Sequence, residues 1–170
     1  MTNGRLYYVM GPSEAGKDSV LGWVREHGVP LGVVCAHRYI TGAVPMDMDP
    51  SRVPLSEQEF ARRESRGLFV LTWKAHGHRF GIGREIEHWM NRGADVLVNG
   101  SRAAFGEALR RFPSLQPVML VAHGQHPPMN DGVDDAVQAV PRGAWVIHSD
   151  TSLVCTGAQL LDAIRVRQAG

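Results

Sequence analysis

The chain has 170 residues, of which 44% are hydrophobic and 21% are charged, and its formal net charge is +1. This composition is ordinary for one globular domain with its own hydrophobic core. A charge so close to zero argues against attraction to nucleic acid or to an acidic membrane surface. The sequence has no apolar run of about 18 residues, and its first predicted strand follows closely on Met1, so we expect neither a membrane span nor a signal peptide. Cys35 and Cys155 stand far apart in apolar surroundings, so we expect two buried, reduced thiols in a cytoplasmic protein.

The segment from Gly11 to Asp18, with the sequence GPSEAGKD, fits the phosphate-loop pattern G-x-x-x-x-G-K. It stands between a predicted strand, Leu6–Met10, and a predicted helix, Lys17–His27. Glycines let such a loop curl until several N–H groups point at one anion, and the helix N-terminus and the lysine add positive charge. We therefore predict a binding site for the phosphates of ATP. Its residues are Gly11, Pro12, Ser13, Glu14, Ala15, Gly16, Lys17, Asp18 and Ser19.

The position after Lys17 is unusual for a phosphate loop. Serine or threonine commonly stands there and holds Mg²⁺ through its hydroxyl, whereas this chain has Asp18 followed by Ser19. A carboxylate also binds Mg²⁺, directly or through water, so Asp18 is the predicted metal ligand. The carboxylate of Glu14 would repel a polyphosphate unless it points outward or meets a cation.

Strand and helix patterns alternate along the rest of the chain. Strands are predicted at 32–36, 68–73, 96–98, 118–122 and 145–148, and helices at 56–66, 84–92, 103–112 and 157–166. This alternation predicts an α/β fold of three layers, in which helices flank a parallel sheet. Two polar stretches, 42–54 and 123–135, are interpreted as loops. Because ligands bind beyond the carboxyl ends of parallel strands, both loops are candidates for substrate contact.

Several motifs follow the phosphate loop: AHRYIT at 36–41, LSEQEF at 55–60, WKAHG at 73–77 with FGIG at 80–83, and VNGSR at 98–102. In this order, and after a loop that ends in GKDS, they resemble the ribose 1,5-bisphosphate phosphokinase family of bacterial phosphonate breakdown, a relative of guanylate kinases. The resemblance covers residues 5 to about 121. It implies a guanylate-kinase-like P-loop NTPase fold, with residues 1–170 as one kinase domain.

The resemblance also implies an activity, which is transfer of the γ-phosphate of ATP to ribose 1,5-bisphosphate, with Mg²⁺, to give 5-phosphoribosyl 1-diphosphate. The expected partner is a small phosphorylated sugar, and a homodimer is possible. The acceptor-binding segment would be residues 37–83, and a reduced lid would be residues 123–135.

An acceptor with two phosphates requires cations and hydrogen-bond donors, and the forked guanidinium of arginine suits phosphate oxygens. Catalytic roles fall on Lys17, Asp18 and Arg38. The predicted acceptor contacts are Arg38, Tyr39, Thr41, His76, Asn99, Ser101 and Arg102. Structural alternatives stay open for several of them, because Tyr39 could pack, Arg102 could be a surface charge and Asn99 could belong to a plain turn.

Three departures from the family pattern bear on function. Guanylate kinases carry a Tyr-Gly where this chain has Phe80-Gly81, so one phosphate-binding hydroxyl is absent. The family continues HRYIT with an arginine, but this chain has Gly42, and Arg52 or Arg79 could compensate. No arginine lies between Arg111 and Arg142, where related enzymes carry lid arginines that neutralise the transferring phosphoryl group.

Two other functions are therefore kept open. The first is that of a catalytically weak nucleotide-binding paralogue that has lost its lid. The second is that of a nucleoside monophosphate kinase, which Thr72 disfavours because guanylate kinases carry a base-reading glutamate there.

Overall fold

The computed structural model describes residues 3–12, 15–42, 51–124, 140–149 and 152–170. Within these ranges the strands are β1 Leu6–Met10, β2 Val33–Cys35, β3 Arg38–Thr41, β4 Arg52–Leu55, β5 Phe69–Ala75, β6 His78–Gly83, β7 Asp95–Asn99, β8 Gln116–Val121 and β9 Trp145–His148. The α-helices are α1 Lys17–His27, α2 Glu57–Ser65, α3 Glu85–Asn91, α4 Phe105–Arg111 and α5 Leu153–Ala169. A short 3₁₀ turn at Val29–Leu31 joins α1 to β2.

The larger sheet is parallel throughout and has the strand order β2-β7-β1-β8-β9. Its central strand β1 is buried along its whole length, as expected where helices cover both faces. On one face, β1 side chains pack with α1 and α5 around Val24 and Leu160. On the other face, they pack with α3 and α4 around Ile86 and Ala108. The predicted three-layer α/β fold is therefore confirmed.

A second, four-stranded sheet with the order β4-β3-β6-β5 was not predicted. Its β3 and β4 strands are parallel, whereas β3 with β6 and β5 with β6 are antiparallel. The prediction of a loop over 42–54 is thus wrong for 52–54, which belong to β4, while 43–50 lie outside the described residues. Because β4 is an edge strand, it tolerates Pro54, which lacks a backbone N–H.

Helix ends follow their capping residues. The Ser56 Oγ accepts a hydrogen bond from Glu59 N (3.1 Å), which confirms the predicted start of α2. Helix α5 begins four residues before the predicted Gly157, because Ser152 caps it by accepting from Cys155 N. Gly157 serves packing instead, since a Cβ there would lie 2.2 Å from the Trp23 ring.

The thiols differ from the prediction in one respect. Both cysteines are free, but Cys155 on α5 is exposed, and only Cys35 is partly buried. Cys155 lies in the first turn of α5. No helix in the described ranges has the length and apolar character needed to cross a bilayer.

Candidate functional site

The phosphate loop begins where β1 ends, at the carboxyl edge of the parallel sheet. Gly11 has φ 153°, and a Cβ there would lie 2.6 Å from the Leu120 carbonyl oxygen, so this position admits only glycine. Ala15 is fully buried, and its N–H donates to the Pro12 carbonyl (3.1 Å), which anchors the loop to the core. Ser13 and Glu14 lie outside the described residues.

The N-terminus of α1 is open toward solvent. Its N-cap is Gly16, in the left-handed conformation at φ 68°, and no side chain of the described residues caps the helix. Backbone N–H groups of the first turn are therefore available to an anion, and the helix dipole favours negative charge there. This geometry supports the predicted phosphate site.

Lys17 lies over the turn that follows β7. Its Nζ is 3.5 Å from the Gly100 carbonyl oxygen. Burial, with the nearby charges of Arg38 and Arg102, lowers the pKa of Lys17 to about 8, although Asp18 acts in the opposite direction. A bound polyphosphate would favour the charged ammonium and reverse this shift.

The turn beneath Lys17 is fixed by Tyr8. The Tyr8 hydroxyl donates to the Ser101 carbonyl (2.6 Å), and a Cβ at Gly100 would lie 2.1 Å from the Tyr8 ring. Burial raises the pKa of Tyr8 above its usual range, so the hydroxyl remains a donor. The glycine thus lets the chain cross the ring closely enough to present Gly100 and Ser101 to the loop.

Asp18 joins the phosphate loop to the second sheet. Its Oδ1 accepts a hydrogen bond from Asn99 Nδ2 (2.8 Å) and lies 3.6 Å from Arg38 Nη2. Its Oδ2 lies 3.5 Å from Arg52 Nη2. The carboxylate is 44% exposed, whereas the Arg38 and Arg52 side chains are 10% and 22% exposed. One half-exposed anion therefore orients two largely buried guanidinium groups.

These groups face a cleft of about 390 Å³ between the phosphate loop and the second sheet. Its lining residues are Gly11, Gly16, Lys17, Asp18, Ser19, Arg38, Arg52, Trp73, Ala75, His76, Phe80, Gly100 and Ser101. The Trp73 and Phe80 rings stack at 5.5 Å with an interplanar angle of 6°, and the Arg38 guanidinium lies 5.9 Å from the Phe80 ring centre. The cleft thus combines a cationic side with an aromatic wall.

His76 enters this cleft from the tight turn between β5 and β6. It has φ 50°, and among the described non-glycine residues it alone has a positive φ. A side chain in this region costs of order 1 kcal/mol and persists where the surrounding structure holds it, often at functional sites. The following Gly77 (φ 75°) completes the turn.

Of the predicted acceptor contacts, Arg38, His76 and Ser101 lie in the cleft wall, whereas Tyr39 and Thr41 do not. The Tyr39 hydroxyl donates to Glu85 Oε1 (3.0 Å), and the Thr41 Oγ1 accepts from Arg79 N (2.9 Å). Neighbouring residues of a strand face opposite sides, so Tyr39 and Thr41 cannot share the side of Arg38. Both side chains thus lie outside the wall of the described cleft, and their contact with the acceptor stays a prediction.

Asn99 and Arg102 are also outside the cleft wall. Asn99 is 6% exposed and contacts Asp18 through its Nδ2. Its Oδ1 has no hydrogen-bond partner among the described residues. Arg102 is partly buried with its Nη2 3.1 Å from Met119 Sδ, and burial lowers its pKa. Asn99 contacts the cleft wall through its hydrogen bond to Asp18, and the charge of Arg102 lies near Lys17; their contact with the acceptor stays a prediction.

Sequence reasoning missed two lining side chains and named a third only as an open alternative. From the sequence, Trp73 received no role and Phe80 was noted only for the hydroxyl it lacks, although alternation along the β5–β6 hairpin places both on the side of the cleft. Arg52 was one of the two arginines named as alternatives to the arginine missing at Gly42. The other, Arg79, pairs with Glu64 and lies over the Phe60 ring, away from the cleft.

For the expected Mg²⁺, the cleft wall offers one carboxylate, that of Asp18. No group of three or more His, Cys, Asp or Glu side chains converges in the described ranges. Mg²⁺ bound with a nucleotide takes most of its ligands from phosphates and water and needs only one or two from the protein. Asp18 and Ser19, adjacent in the cleft wall, fit that requirement. Most of the predicted lid, including His126, lies outside the described residues.

Comparison with known proteins agrees with this geometry, although no protein-family model matches the chain. Ribose 1,5-bisphosphate phosphokinase PhnN of Chromobacterium violaceum is 49% identical over 120 residues, which are 70% of this chain and 63% of that protein. The chain thus spans less than two thirds of that relative. The protein of the same name from Pantoea vagans is 37% identical over 178 residues, covering 96% of this chain and 99% of its own length.

Among solved structures, guanylate kinase from Anaplasma phagocytophilum superposes with a TM-score of 0.73 over 99% of this chain and 88% of that one. The sequence identity is 14%, so this likeness concerns the fold alone. It establishes a guanylate-kinase-like α/β fold for the chain.

Proposed function

The chain belongs to the ribose 1,5-bisphosphate phosphokinase family, and from this premise we propose that it transfers the γ-phosphate of ATP to ribose 1,5-bisphosphate. The product would be 5-phosphoribosyl 1-diphosphate, as in phosphonate breakdown. The observation that carries the proposal is the placement of Lys17, Asp18 and Arg38 in one cleft at the open N-terminus of α1. A phosphate donor and a phosphorylated acceptor both need cations, and this cleft offers them side by side.

In this proposal the donor side of the cleft is the phosphate loop. The first N–H groups of α1 would hold the β-phosphate, and the Lys17 ammonium would reach the β- and γ-phosphates. Little covalent chemistry falls to the protein in phosphoryl transfer, so positioning and charge stabilisation account for most of the rate. Lys17 suits this task because it lies in the cleft wall with its ammonium held at the Gly100 carbonyl.

On the acceptor side, Arg38 would hold a phosphate of the sugar. Its guanidinium is nearly buried, rests near the Phe80 ring and is oriented by Asp18. The ring wall of Trp73 and Phe80 would pack against the ribose, and His76 and Ser101 would donate hydrogen bonds to it. Ordering these contacts before the acceptor arrives reduces the entropy that binding must offset.

Asp18 and Ser19 would hold Mg²⁺ together with the phosphates of ATP. When bound, the metal neutralises charge on the β- and γ-phosphates. Asn99 donates a hydrogen bond to Asp18 and so fixes the direction of the carboxylate, as partners of metal ligands commonly do.

The other two functions have less support. Thr72, at the position of the base-reading glutamate of guanylate kinases, is not among the residues that line the cleft. It faces a separate surface depression with Lys74 and Glu107. A weak paralogue would keep the phosphate loop but would not need Arg38 and Arg52 ordered at the acceptor side. We further propose that residues 1–170 act as one kinase domain in the cytoplasm; a homodimer stays a prediction.

The test is a direct assay of the purified protein. We would incubate it with ATP, Mg²⁺ and ribose 1,5-bisphosphate, follow 5-phosphoribosyl 1-diphosphate by ³¹P NMR, and run GMP in parallel, with Lys17→Met as the inactive control. Formation of the diphosphate by the wild type alone supports the proposal. Phosphorylation of GMP instead identifies a nucleotide kinase, and ATP binding without transfer to either acceptor identifies a weak paralogue.

A further inference from the structure

We infer that Arg52 is the second arginine of the acceptor site and that it grips, together with Arg38, the phosphate that receives the γ-phosphoryl group. The inference rests on the proposed function and extends it to a residue outside the motif segments AHRYIT, LSEQEF, WKAHG, FGIG and VNGSR. It also answers the question raised by Gly42, where the family pattern has an arginine.

The pairing of two strands brings the arginines together. Strands β3 and β4 are parallel, and their register places Arg38 directly beside Arg52. The Arg38 N–H donates to the Ser51 carbonyl (2.9 Å), which begins the ladder immediately before Arg52. Side chains at paired positions of neighbouring strands lie on the same face of a sheet. Both guanidinium groups therefore reach the same side, which is the cleft.

The distances show that one anion can engage both groups. Arg38 Nη2 and Arg52 Nη2 lie 3.6 and 3.5 Å from the two oxygens of the single Asp18 carboxylate. A phosphate has similar oxygen spacing and more charge, and arginine binds it through two parallel N–H donors. Lys17, Arg38, Arg52 and Asp18 together give this part of the wall a formal charge of +2, which an acceptor phosphate would neutralise.

Position 42 and Arg79 do not provide this contact. Gly42 has φ 94°, a conformation that arginine rarely adopts, and the His78 ring lies 3.4 Å from where its Cβ would be. Arg79 is on β6, pairs with Glu64 and lies 4.5 Å from the Phe60 ring centre. Among the described residues, Arg52 is therefore the arginine that joins Arg38 in the cleft wall.

The location of the pair indicates which phosphate it binds. Transfer requires an oxygen of the acceptor 1-phosphate within about 3–3.5 Å of the γ-phosphorus, in line with the bond that breaks to release ADP. Asp18, which touches both arginines, is in the first turn of the helix that would hold the β-phosphate of ATP. A phosphate gripped by Arg38 and Arg52 is thus beside the donor and is the reacting 1-phosphate rather than the remote 5-phosphate.

The experiment compares Arg52→Ala and Arg52→Gln with Arg79→Ala, a matched control from the same sheet. We would measure ribose 1,5-bisphosphate binding and ATP binding by calorimetry, steady-state kcat and KM, and the melting temperature. We expect both Arg52 variants to bind ribose 1,5-bisphosphate on the order of ten- to a hundredfold more weakly and to lose about tenfold in kcat. ATP affinity should stay within about twofold, and Arg79→Ala should leave both affinities unchanged.

Each other outcome has a distinct meaning. Wild-type acceptor affinity in folded Arg52→Gln overturns the role of Arg52 while leaving the proposed function in place. Weaker binding with an unchanged kcat would place Arg52 on the remote phosphate and refute its assignment to the reacting one. A wild type that neither binds nor phosphorylates ribose 1,5-bisphosphate removes the proposed function, and this inference with it.

Discussion

The pKa of Lys17 makes nucleotide binding sensitive to pH in a narrow, predictable range. In the free protein, burial lowers this pKa from its usual 10.5 to about 8. A polyphosphate binds the charged ammonium, so nucleotide binding should raise the pKa again and take up a proton. The protonated fraction falls from about nine tenths at pH 7 to about one tenth at pH 9. Nucleotide affinity should therefore fall about tenfold across these two pH units.

The chain offers a matched control, because Lys17 and Lys74 are its two lysines. Lys17→Met should bind ATP more weakly and lose this pH dependence, whereas Lys74→Met should keep both the affinity and its slope. Comparing each variant with the wild type cancels the titration of ATP itself. Calorimetry in buffers of different ionisation enthalpy would measure the proton uptake directly, and about half a proton is expected at pH 8.

The same shift has a consequence for stability, with the opposite pH dependence. The folded-state pKa lies below the unfolded value, so the unfolded chain binds more protons between pH 8 and 10.5, and stability rises with pH in that window. The shift bounds the cost of the buried charge at about 3 kcal/mol, so Lys17→Met should raise the free energy of unfolding at pH 7 by up to that amount.

The prediction on nucleotide binding has its own contrary outcome. If the wild type bound ATP equally well at pH 7 and pH 9 without taking up a proton, the placement of Lys17 against the phosphates would be refuted.

Three further predictions concern other residues of the site. Asp18→Asn should raise the Mg²⁺ concentration needed for half-maximal activity more than it raises the KM for ATP. The control Asp162→Asn, on the exposed face of α5, should change neither value. Identical magnesium titrations of the wild type and Asp18→Asn would remove Asp18 from the metal site. Arg38→Ala should weaken acceptor binding on the order of ten- to a hundredfold with little effect on ATP, as measured by calorimetry, and a harmless substitution would place the acceptor elsewhere. Gly100→Ala should lower the free energy of unfolding, measured with denaturant, by at least about 1–3 kcal/mol, because its Cβ would lie 2.1 Å from the Tyr8 ring. The control is Gly106→Ala on α4, where a Cβ meets open space and should not lower the stability.

The parts of the fold that were predicted correctly are those with a local signal. The apolar run of β1, the glycines of the loop and the periodic pattern of α1 gave both elements the bounds that the structure has, Leu6–Met10 and Lys17–His27. In the second sheet, β5 was predicted at 68–73, whereas β3, β4 and β6 carry no such signal. Strands β3 and β4 have four residues each, and Pro54 interrupts the β4 pattern. Their existence depends on pairing between segments that the sequence alone does not bring together.

The same distinction applies to the site. Lys17 and Asp18 were identified because their spacing from Gly11 and Gly16 is itself the motif. The motif HRYIT suggested three acceptor contacts, but alternation within one strand allows Arg38 to face the cleft only if Tyr39 and Thr41 do not. That constraint was available in the sequence once β3 was recognised as a strand. The position of Arg52 was not available, because it depends on the register between β3 and β4.

Asp18 connects these observations. A serine hydroxyl at this position would serve the metal, but it carries no charge with which to orient guanidinium groups. The carboxylate does so for Arg38 and Arg52, and it is itself fixed by Asn99 from the end of β7. The phosphate loop, the parallel sheet and the strands β3 and β4 are thus connected through the Asp18 side chain. If the two arginines turn to an acceptor phosphate, the Asp18 carboxylate loses two cationic neighbours while it keeps the Asn99 hydrogen bond, so it becomes more available to Mg²⁺ and binding of acceptor and of metal should favour each other. Magnesium affinity of the ATP complex, measured with and without ribose 1,5-bisphosphate, would show this coupling in the wild type and its loss in Arg52→Gln.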